Sequence, residues 1–270
     1  MKYIIYFPFA YSFFSRYKTL FYKISFFIIT VLPIVYFSFR EATFSVESVK
    51  VFFVAFTAMH SAYEIGYIVN DVYTVQFEKN PTQRLSKEYF FLMKKCFPIH
   101  IAVRMGYLLL SIEILYLMGL QTINAFIICI VILNIVFAFH NVLRERMNIV
   151  TMFVLTVLKY ISIPILFNNN ILGDYLILVF LVPVIRSIEY ASKDRFHVGF
   201  LRYVRCYKDV FRIKYYFIMF IIVLFSRFFD YRNIYIIGAF FVFRLTMSLI
   251  YKVSFIRNKI NKIRKKNCNQ

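Results

Sequence analysis

Long apolar runs separated by short polar stretches dominate the chain. Each run is close to the roughly 20 residues that an α-helix needs to cross a hydrocarbon core of about 30 Å. The shorter apolar stretch Tyr3–Phe14 is expected to form an interfacial helix, because no small-residue cleavage site follows it. The runs predict eight membrane-spanning helices: Leu20–Phe39, Val49–Val69, Cys96–Leu120, Ile123–Val142, Ile149–Phe167, Ile171–Ala191, Ile213–Phe229 and Ile234–Val253.

Composition narrows the class of protein. Hydrophobic residues make up 61% of the chain and charged residues 17%, and the mean hydropathy is +0.68. A soluble globule of this length cannot bury that much apolar surface. We therefore predict an all-α protein, a polytopic transmembrane bundle of about eight helices that forms a single domain over residues 1–270.

The distribution of charge predicts the orientation. The chain has 33 Lys and Arg against 13 Asp and Glu, a formal net charge of +20. With the N-terminus in the cytoplasm, most of the basic residues fall in cytoplasmic segments, as the positive-inside rule requires. The sequence thus predicts a multi-pass integral membrane protein with both termini in the cytoplasm. Membrane lipids are expected partners. Nucleic acid is not, because no soluble domain carries the charge.

A polar cluster follows the second apolar run. Residues 63–86 pass from apolar helix into Asn70, Asp71 and Glu78, with Lys79 and Arg84 just beyond. Polar chemistry at the end of a membrane helix is costly and is usually functional. If the helix continues through this segment, Asp71 and Glu78 share one face about 10 Å apart. Such a spacing suits carboxylates that flank a diphosphate and its metal ions.

A second acidic cluster lies at the end of the sixth predicted span, on the same side of the membrane. It contains Glu189 and Asp194, with Lys193 and Arg195 as candidate phosphate ligands. The alternative is that Arg186 and Glu189 neutralise each other. Magnesium prefers oxygen ligands and commonly combines one or two carboxylates with phosphate oxygens. The candidate Mg²⁺ ligands are Asp71, Glu78, Glu189 and Asp194.

Two basic positions complete the candidate site. Arg144 caps the cytoplasmic end of the fourth predicted span, and Lys159 lies inside the fifth. An ammonium group within a membrane needs a partner, which could be a substrate phosphate, a carboxylate or water reached by snorkelling. The candidate catalytic residues are Asn70, Asp71, Glu78, Lys159 and Asp194, and the candidate substrate-binding residues are Lys79, Arg84, Arg144, Lys193 and Arg195.

These motifs resemble the UbiA superfamily of intramembrane prenyltransferases. Residues 70–78 read NDVYTVQFE and are similar to the NDxxDxxxD motif of that family, although Thr74 and Glu78 replace two of its aspartates. Residues 140–144, HNVLR, resemble its YSxxLK element. Asp194 stands in a worn second motif four helices later. The family usually has nine helices rather than eight.

The resemblance implies a Mg²⁺-dependent transferase whose active site faces the cytoplasm. A prenyl group would pass from a polyprenyl diphosphate, an isoprenoid lipid substrate, to an acceptor. One branch of the family transfers phosphoribose from a sugar diphosphate to polyprenyl phosphate, and residues 80–84, NPTQR, resemble its HPxKR stretch. A non-catalytic membrane transporter or scaffold is the third possibility. The sequence indicates neither the acceptor nor the oligomeric state.

Overall fold

A computed structural model describes residues 6–42, 44–77, 84–143, 146–167, 172–226 and 229–268, with side chains described through residue 250. Every element in these ranges is helical, as the apolar runs predicted. The chain divides into two compact units, Met1–Ala191 and Ser192–Gln270.

Among the described residues, the first unit contains a short N-terminal helix followed by seven longer ones. Their order along the chain is α1 (Ala10–Ser15), α2 (Leu20–Phe39), α3 (Val46–Phe77), α4 (Lys87–Lys95), α5 (Phe97–Leu117), α6 (Ile123–Val142), α7 (Met147–Ile161) and α8 (172–191). Helix α3 packs against α5 and α6, and α7 packs against α6 and α8. The two buried carboxylates of α3, Glu64 and Asp71, thus lie on the helix that contacts both α5 and α6.

The second unit begins with two single turns of 3₁₀ helix, Asp194–Phe196 and Gly199–Leu201. The helices α9 (Arg202–Cys206), α10 (Lys208–Phe225) and α11 (Asn233–Cys268) follow. Helices α10 and α11 pack against each other, with the rings of Tyr216 and Phe240 5.4 Å apart.

Five described helices are long and apolar enough to cross a membrane: Leu20–Phe39, Val46–Phe77, Phe97–Leu117, Ile123–Val142 and Asn233–Ile250. Helix α7 is apolar but has only 15 residues, shorter than its predicted span, because the chain continues as a turn and a 3₁₀ helix at Pro164–Leu166. Helices α8 and α10 occupy the other two predicted positions. They contain three and four charged residues, respectively. A polytopic helical membrane protein is compatible with this set of helices.

Three of the long helices contain a π-helical turn. These turns are Phe27–Val31 in α2, Val69–Tyr73 in α3 and Phe180–Val184 in α8. Turns of this kind are rare and are often found at functional sites. The turn in α3 carries Asn70 and Asp71. Over residues 69–77 the predicted helix is therefore not a regular α-helix, since the α-helix ends at Ile68 and a 3₁₀ turn, Thr74–Phe77, follows the π turn.

Candidate functional site

Asp71 is the centre of a dense hydrogen-bond network at the end of α3. Asp71 is 5% exposed to solvent. Oδ2 accepts from the Tyr11 hydroxyl at 2.7 Å and from Arg16 at 2.5 Å. Oδ1 accepts from Arg16 at 3.0 Å, Arg84 at 2.9 Å and Asn70 at 3.2 Å. Five donors therefore converge on one carboxylate.

Three of those donors, on two residues, come from the N-terminal segment that precedes the first candidate span. Tyr11 lies in α1, and Arg16 follows its last residue. Burial, followed by the Asp71 charge, raises the pKa of the Tyr11 hydroxyl well above its usual value, so this group stays protonated and donates. Burial lowers the pKa of the Arg16 guanidinium, but the Asp71 carboxylate more than offsets this, and the net shift is upward. Arg16 also lies over the Tyr67 ring, 4.1 Å from its centroid.

Arg84 approaches Asp71 from the segment that enters α4. Its side chain is 36% exposed, against 2% for Asp71 and 13% for Arg16. The Arg84 carbonyl accepts a hydrogen bond from the Lys18 ammonium at 2.6 Å, which links this segment to the N-terminal one. The Arg84 guanidinium thus reaches Asp71 while a third of its side chain stays open.

The other buried carboxylate of α3, Glu64, has a structural partner. Glu64 and Arg104 are fully buried and form an ion pair at 2.9 Å. The Ser12 backbone N–H donates to the second Glu64 oxygen at 2.8 Å. Arg104 also donates to the carbonyls of Tyr6 and Phe7. This pair therefore fastens the N-terminal segment to α3 and α5 and leaves no charge for chemistry.

Lys159 is a buried cation of a different kind. It is 7% exposed, and its ammonium lies 4.8 Å from the centroid of the Tyr63 ring and 5.8 Å from that of Phe26. No carboxylate pairs with it among the described residues. Arg186 on α8, an exposed residue, is near enough for its positive charge to act on Lys159. A membrane helix with such an ammonium needs an anion from elsewhere.

The rings of Tyr63 and Tyr67, 5.0 Å apart, connect Lys159 to Arg16, because each cation lies over one of these rings. Burial raises the pKa of the Tyr17 hydroxyl, and the positive charges of Arg186 and Arg16 partly oppose this rise. Arg16, Arg84, Lys159 and Arg186 are called the basic cluster below. With Asp71 as the carboxylate inside it, the cluster has a formal charge of +3. When Glu189, half-buried three residues after Arg186, is counted as well, the formal charge is +2.

The structure brings together some of the predicted site residues. Asn70, Asp71 and Arg84 are in direct contact, and Lys159 belongs to the same unit. Asn70 also accepts a hydrogen bond from Thr74 at 3.2 Å, so its amide links Thr74 to the Asp71 carboxylate. Glu189 lies in the last segment of α8, Ile185–Ala191. Glu78, Lys79 and Arg144 lie outside the described residues.

The remaining predicted residues belong to the second unit. Lys193, Asp194 and Arg195 are all exposed. The Asp194 side chain is 84% exposed and forms an ion pair with Arg205. Arg195 lies over the ring of Phe196, 4.6 Å from its centroid. Such contacts are typical of a solvent-exposed turn. Phosphate or metal binding by these three residues stays a prediction.

The described residues around Asp71 do not fit a magnesium ion. A carboxylate has about four lone-pair positions, and Asp71 already accepts five hydrogen bonds, three of them from guanidinium groups. Within the described ranges, no group of three or more His, Cys, Asp or Glu side chains is placed to hold a metal. The prediction that Glu78 binds Mg²⁺ lies outside those ranges.

Sequence reasoning missed Tyr11, Arg16 and Tyr67. Arg16 lies just beyond the stretch that was interpreted as an interfacial helix, and a single arginine before a membrane span is ordinary under the positive-inside rule. The sequence feature that could have identified this contact is the pair of polar groups on Tyr11 and Arg16, one within and one just after an otherwise apolar segment. Comparison of the chain with protein-family models, curated proteins and solved structures finds no match.

Proposed function

We propose that this protein is an intramembrane transferase that acts at the phosphate head of an isoprenoid lipid. One observation carries the proposal: the buried Lys159 ammonium, which has no acidic partner among the described residues and lies among aromatic rings beside Arg186. A phosphate or diphosphate group supplies the missing negative charge, and the isoprenoid chain is compatible with the apolar helices around it. By the predicted topology, this site is at the cytoplasmic side.

Prenyl transfer from a polyprenyl diphosphate to an acceptor is the first candidate reaction. The bond between the allylic carbon and the diphosphate oxygen breaks, and its electron pair leaves with the diphosphate. The acceptor forms a new bond to that carbon and releases a proton. The cations of the basic cluster stabilise the charge that develops on the leaving diphosphate, and the surrounding apolar helices exclude water from the cation-like carbon.

Phosphoribosyl transfer is the second candidate, and the position of Arg84 favours it. Arg84 ends the NPTQR stretch that resembles the phosphoribosyl branch, and its guanidinium donates to Asp71 at 2.9 Å. In this reaction the bond between ribose C1 and diphosphate breaks. An oxygen of polyprenyl phosphate then forms the new bond to C1, and inorganic diphosphate leaves.

The test measures diphosphate release by the detergent-solubilised full chain with each donor. One assay combines a polyprenyl diphosphate with a membrane-lipid extract as the source of acceptor. The other combines phosphoribosyl diphosphate with polyprenyl phosphate. We expect one pair to react, and Lys159→Met to lower kcat/KM on the order of 10²-fold, the scale of losing one donor to a developing anion. Lys50→Met, an exposed lysine paired with Glu47, is the matched control and is expected to have wild-type activity.

The assay also separates the transferase from a non-catalytic protein. Lipid binding without diphosphate release from either donor contradicts the proposal and favours a transporter or scaffold. Equal activity of Lys159→Met and wild type contradicts the assignment of Lys159.

A further inference from the structure

The hydrogen bonds of Asp71 determine what this carboxylate can do. Arg16 binds it with two nitrogens, Arg84 with one, and Tyr11 and Asn70 supply the other two donors. A carboxylate binds a metal through lone pairs, and those of Asp71 are already used. Magnesium also requires near-octahedral oxygen ligands at about 2.0–2.1 Å, so entry of the ion would have to break several charge-assisted hydrogen bonds.

The charges around Asp71 oppose a divalent cation. Arg16 and Arg84 nitrogens lie 2.5–3.0 Å from the Asp71 oxygens, so a Mg²⁺ ion on those oxygens would lie very close to two positive groups. Like charges at such distances repel strongly where water is scarce. The same arrangement attracts an anion.

Arg84 has N–H donors that Asp71 does not use, and an anion can accept hydrogen bonds from them. A guanidinium has five N–H donors in a planar fork. Arg84 uses one of its nitrogens on Asp71, and 36% of its side chain is exposed. Arg16 is fixed by both Asp71 and the face of Tyr67. Asp71 therefore aligns two arginines without neutralising the cluster, and guanidinium pairs suit bidentate phosphate recognition.

We propose that Arg16 and Arg84, aligned by Asp71, bind the phosphate head of the isoprenoid lipid directly and without a divalent cation. Asp71 is in this respect a positioning residue rather than a metal ligand. The inference rests on the proposed function, since it names how the same site holds its substrate. The net positive charge of the basic cluster matches the roughly −1.5 to −2 of a phosphate monoester at neutral pH.

The experiment measures the Kd of a fluorescent polyprenyl monophosphate for the full chain in nanodiscs, in EDTA and in Mg²⁺. We expect the Kd to agree within about twofold between the two conditions. Arg84→Gln should weaken binding about tenfold in both, equivalent to about 1.4 kcal/mol. Lys50→Gln, which changes a remote lysine in the same way, should bind as wild type does.

Asp71→Asn distinguishes a positioning residue from a metal ligand. The amide cannot align two guanidiniums, so we expect weaker binding in EDTA as well as in Mg²⁺. A metal ligand would instead matter only when Mg²⁺ is present. The melting temperature of each variant without lipid identifies a folding defect, and Arg84→Gln keeps the test valid if Asp71→Asn fails to fold, since Arg84 is partly exposed.

The outcomes separate this inference from the proposed function. Binding that appears only with Mg²⁺ overturns the inference and leaves the transferase proposal standing. No binding of the polyprenyl lipid in either condition overturns both. Equal competition by phosphatidic acid, or by inorganic diphosphate, overturns the isoprenoid assignment, because the site would then recognise a phosphate group regardless of what carries it.

Discussion

At the scale of single residues, the two buried carboxylates of α3 are held in different ways. Glu64 is fully buried with one arginine, Arg104. Asp71 is nearly buried with two arginines and lies beside a part of the chain that stays open at Arg84. A buried pair with matched charges is a structural element, whereas a cluster with excess positive charge is suited to an anionic ligand.

Removing Arg104 should destabilise the protein strongly. In Arg104→Met the Glu64 carboxylate would remain buried without its cation, which costs about 3–5 kcal/mol. Thermal unfolding of the solubilised protein should show a melting temperature lower by several degrees.

The double variant Glu64→Gln with Arg104→Met is the control for this effect. It removes both charges, so it should recover much of the lost stability, although the bonds from Arg104 to Tyr6 and Phe7 stay broken. A double variant no more stable than Arg104→Met would mean that the pair itself is unimportant and that only packing was lost.

At the scale of elements, a proline in one helix leaves a backbone carbonyl that a side chain of another helix uses as a hydrogen-bond acceptor. Pro33 in α2 has no N–H to give to the Ile29 carbonyl four residues earlier. The Tyr160 hydroxyl on α7 donates to that carbonyl at 2.9 Å. A sequence feature of one helix thus specifies a contact with another. The acceptor, Ile29, is three residues after Phe26, and the donor, Tyr160, directly follows Lys159.

Tyr160→Phe tests how much that hydrogen bond stabilises the protein. Loss of the hydroxyl leaves a buried acceptor without this partner, which costs about 1–3 kcal/mol, measured as a lower melting temperature. Restoring a backbone N–H with Pro33→Ala in the same chain should return part of the loss. A Tyr160→Phe variant as stable as wild type would contradict this account of the contact.

Gly66 allows α3 and α6 to approach closely. A Cβ atom built on Gly66 would lie 2.3 Å from the Phe137 side chain, and the Asn141 amide donates to the Gly66 carbonyl at 3.1 Å. Gly66→Ala must therefore displace Phe137 or separate the helices, and overpacking of this kind costs about 1–3 kcal/mol. The melting temperature of the purified variant measures the effect.

Gly106→Ala is the matched control, because it places the same methyl group on α5 where, apart from the chain neighbours of Gly106 and the backbone of its own helix, no atom lies within 4 Å. Alanine favours a helix over glycine by up to about 1 kcal/mol, so this variant should be neutral or more stable. If both variants melted at the wild-type temperature, the close approach at Gly66 would not limit packing.

At the scale of the whole molecule, the predicted orientation can be tested with single cysteines. Lys87 and Gln121 are both exposed and lie in successive connections between predicted spans. With the native cysteines replaced, a membrane-impermeant maleimide applied to intact cells of the expression host should label Gln121→Cys. It should leave Lys87→Cys unlabelled until the membrane is permeabilised, because positive-inside topology places that residue in the cytoplasm. The reverse pattern would invert the topology and move the basic cluster to the other side.

Much of the helical organisation could be predicted because it depends on local pattern. Runs of about 20 apolar residues have few stable conformations other than helices when water is excluded, so the bounds of α2 and α6 agree with the predicted spans. Helix α7 ends earlier than predicted, since hydropathy continues through a turn that the backbone makes at Ser162 and Pro164. The π turn at Asn70 and Asp71 likewise has no periodic signal.

The partners of the site residues could not be predicted in this way. Asn70, Asp71, Arg84 and Lys159 were singled out from their positions in apolar surroundings, and the structure brings the first three into contact. Arg16 went unnoticed because it lies 55 residues from Asp71 in the chain. A carboxylate at a helix end is recognisable from sequence, but whether it faces a metal or two arginines is not.

Helical structure, a strongly basic charge and compatibility with a membrane follow from the amino-acid sequence alone, because length, hydropathy and charge act along the chain. The pairing of the charges instead depends on the tertiary structure. Glu64 and Arg104 are 40 residues apart, and their pairing depends on how α3 and α5 pack. Asp71 acquires its arginines because α1 and the segment before α4 converge on one π turn. Such convergence arises from helix packing, which brings together residues that no local pattern connects.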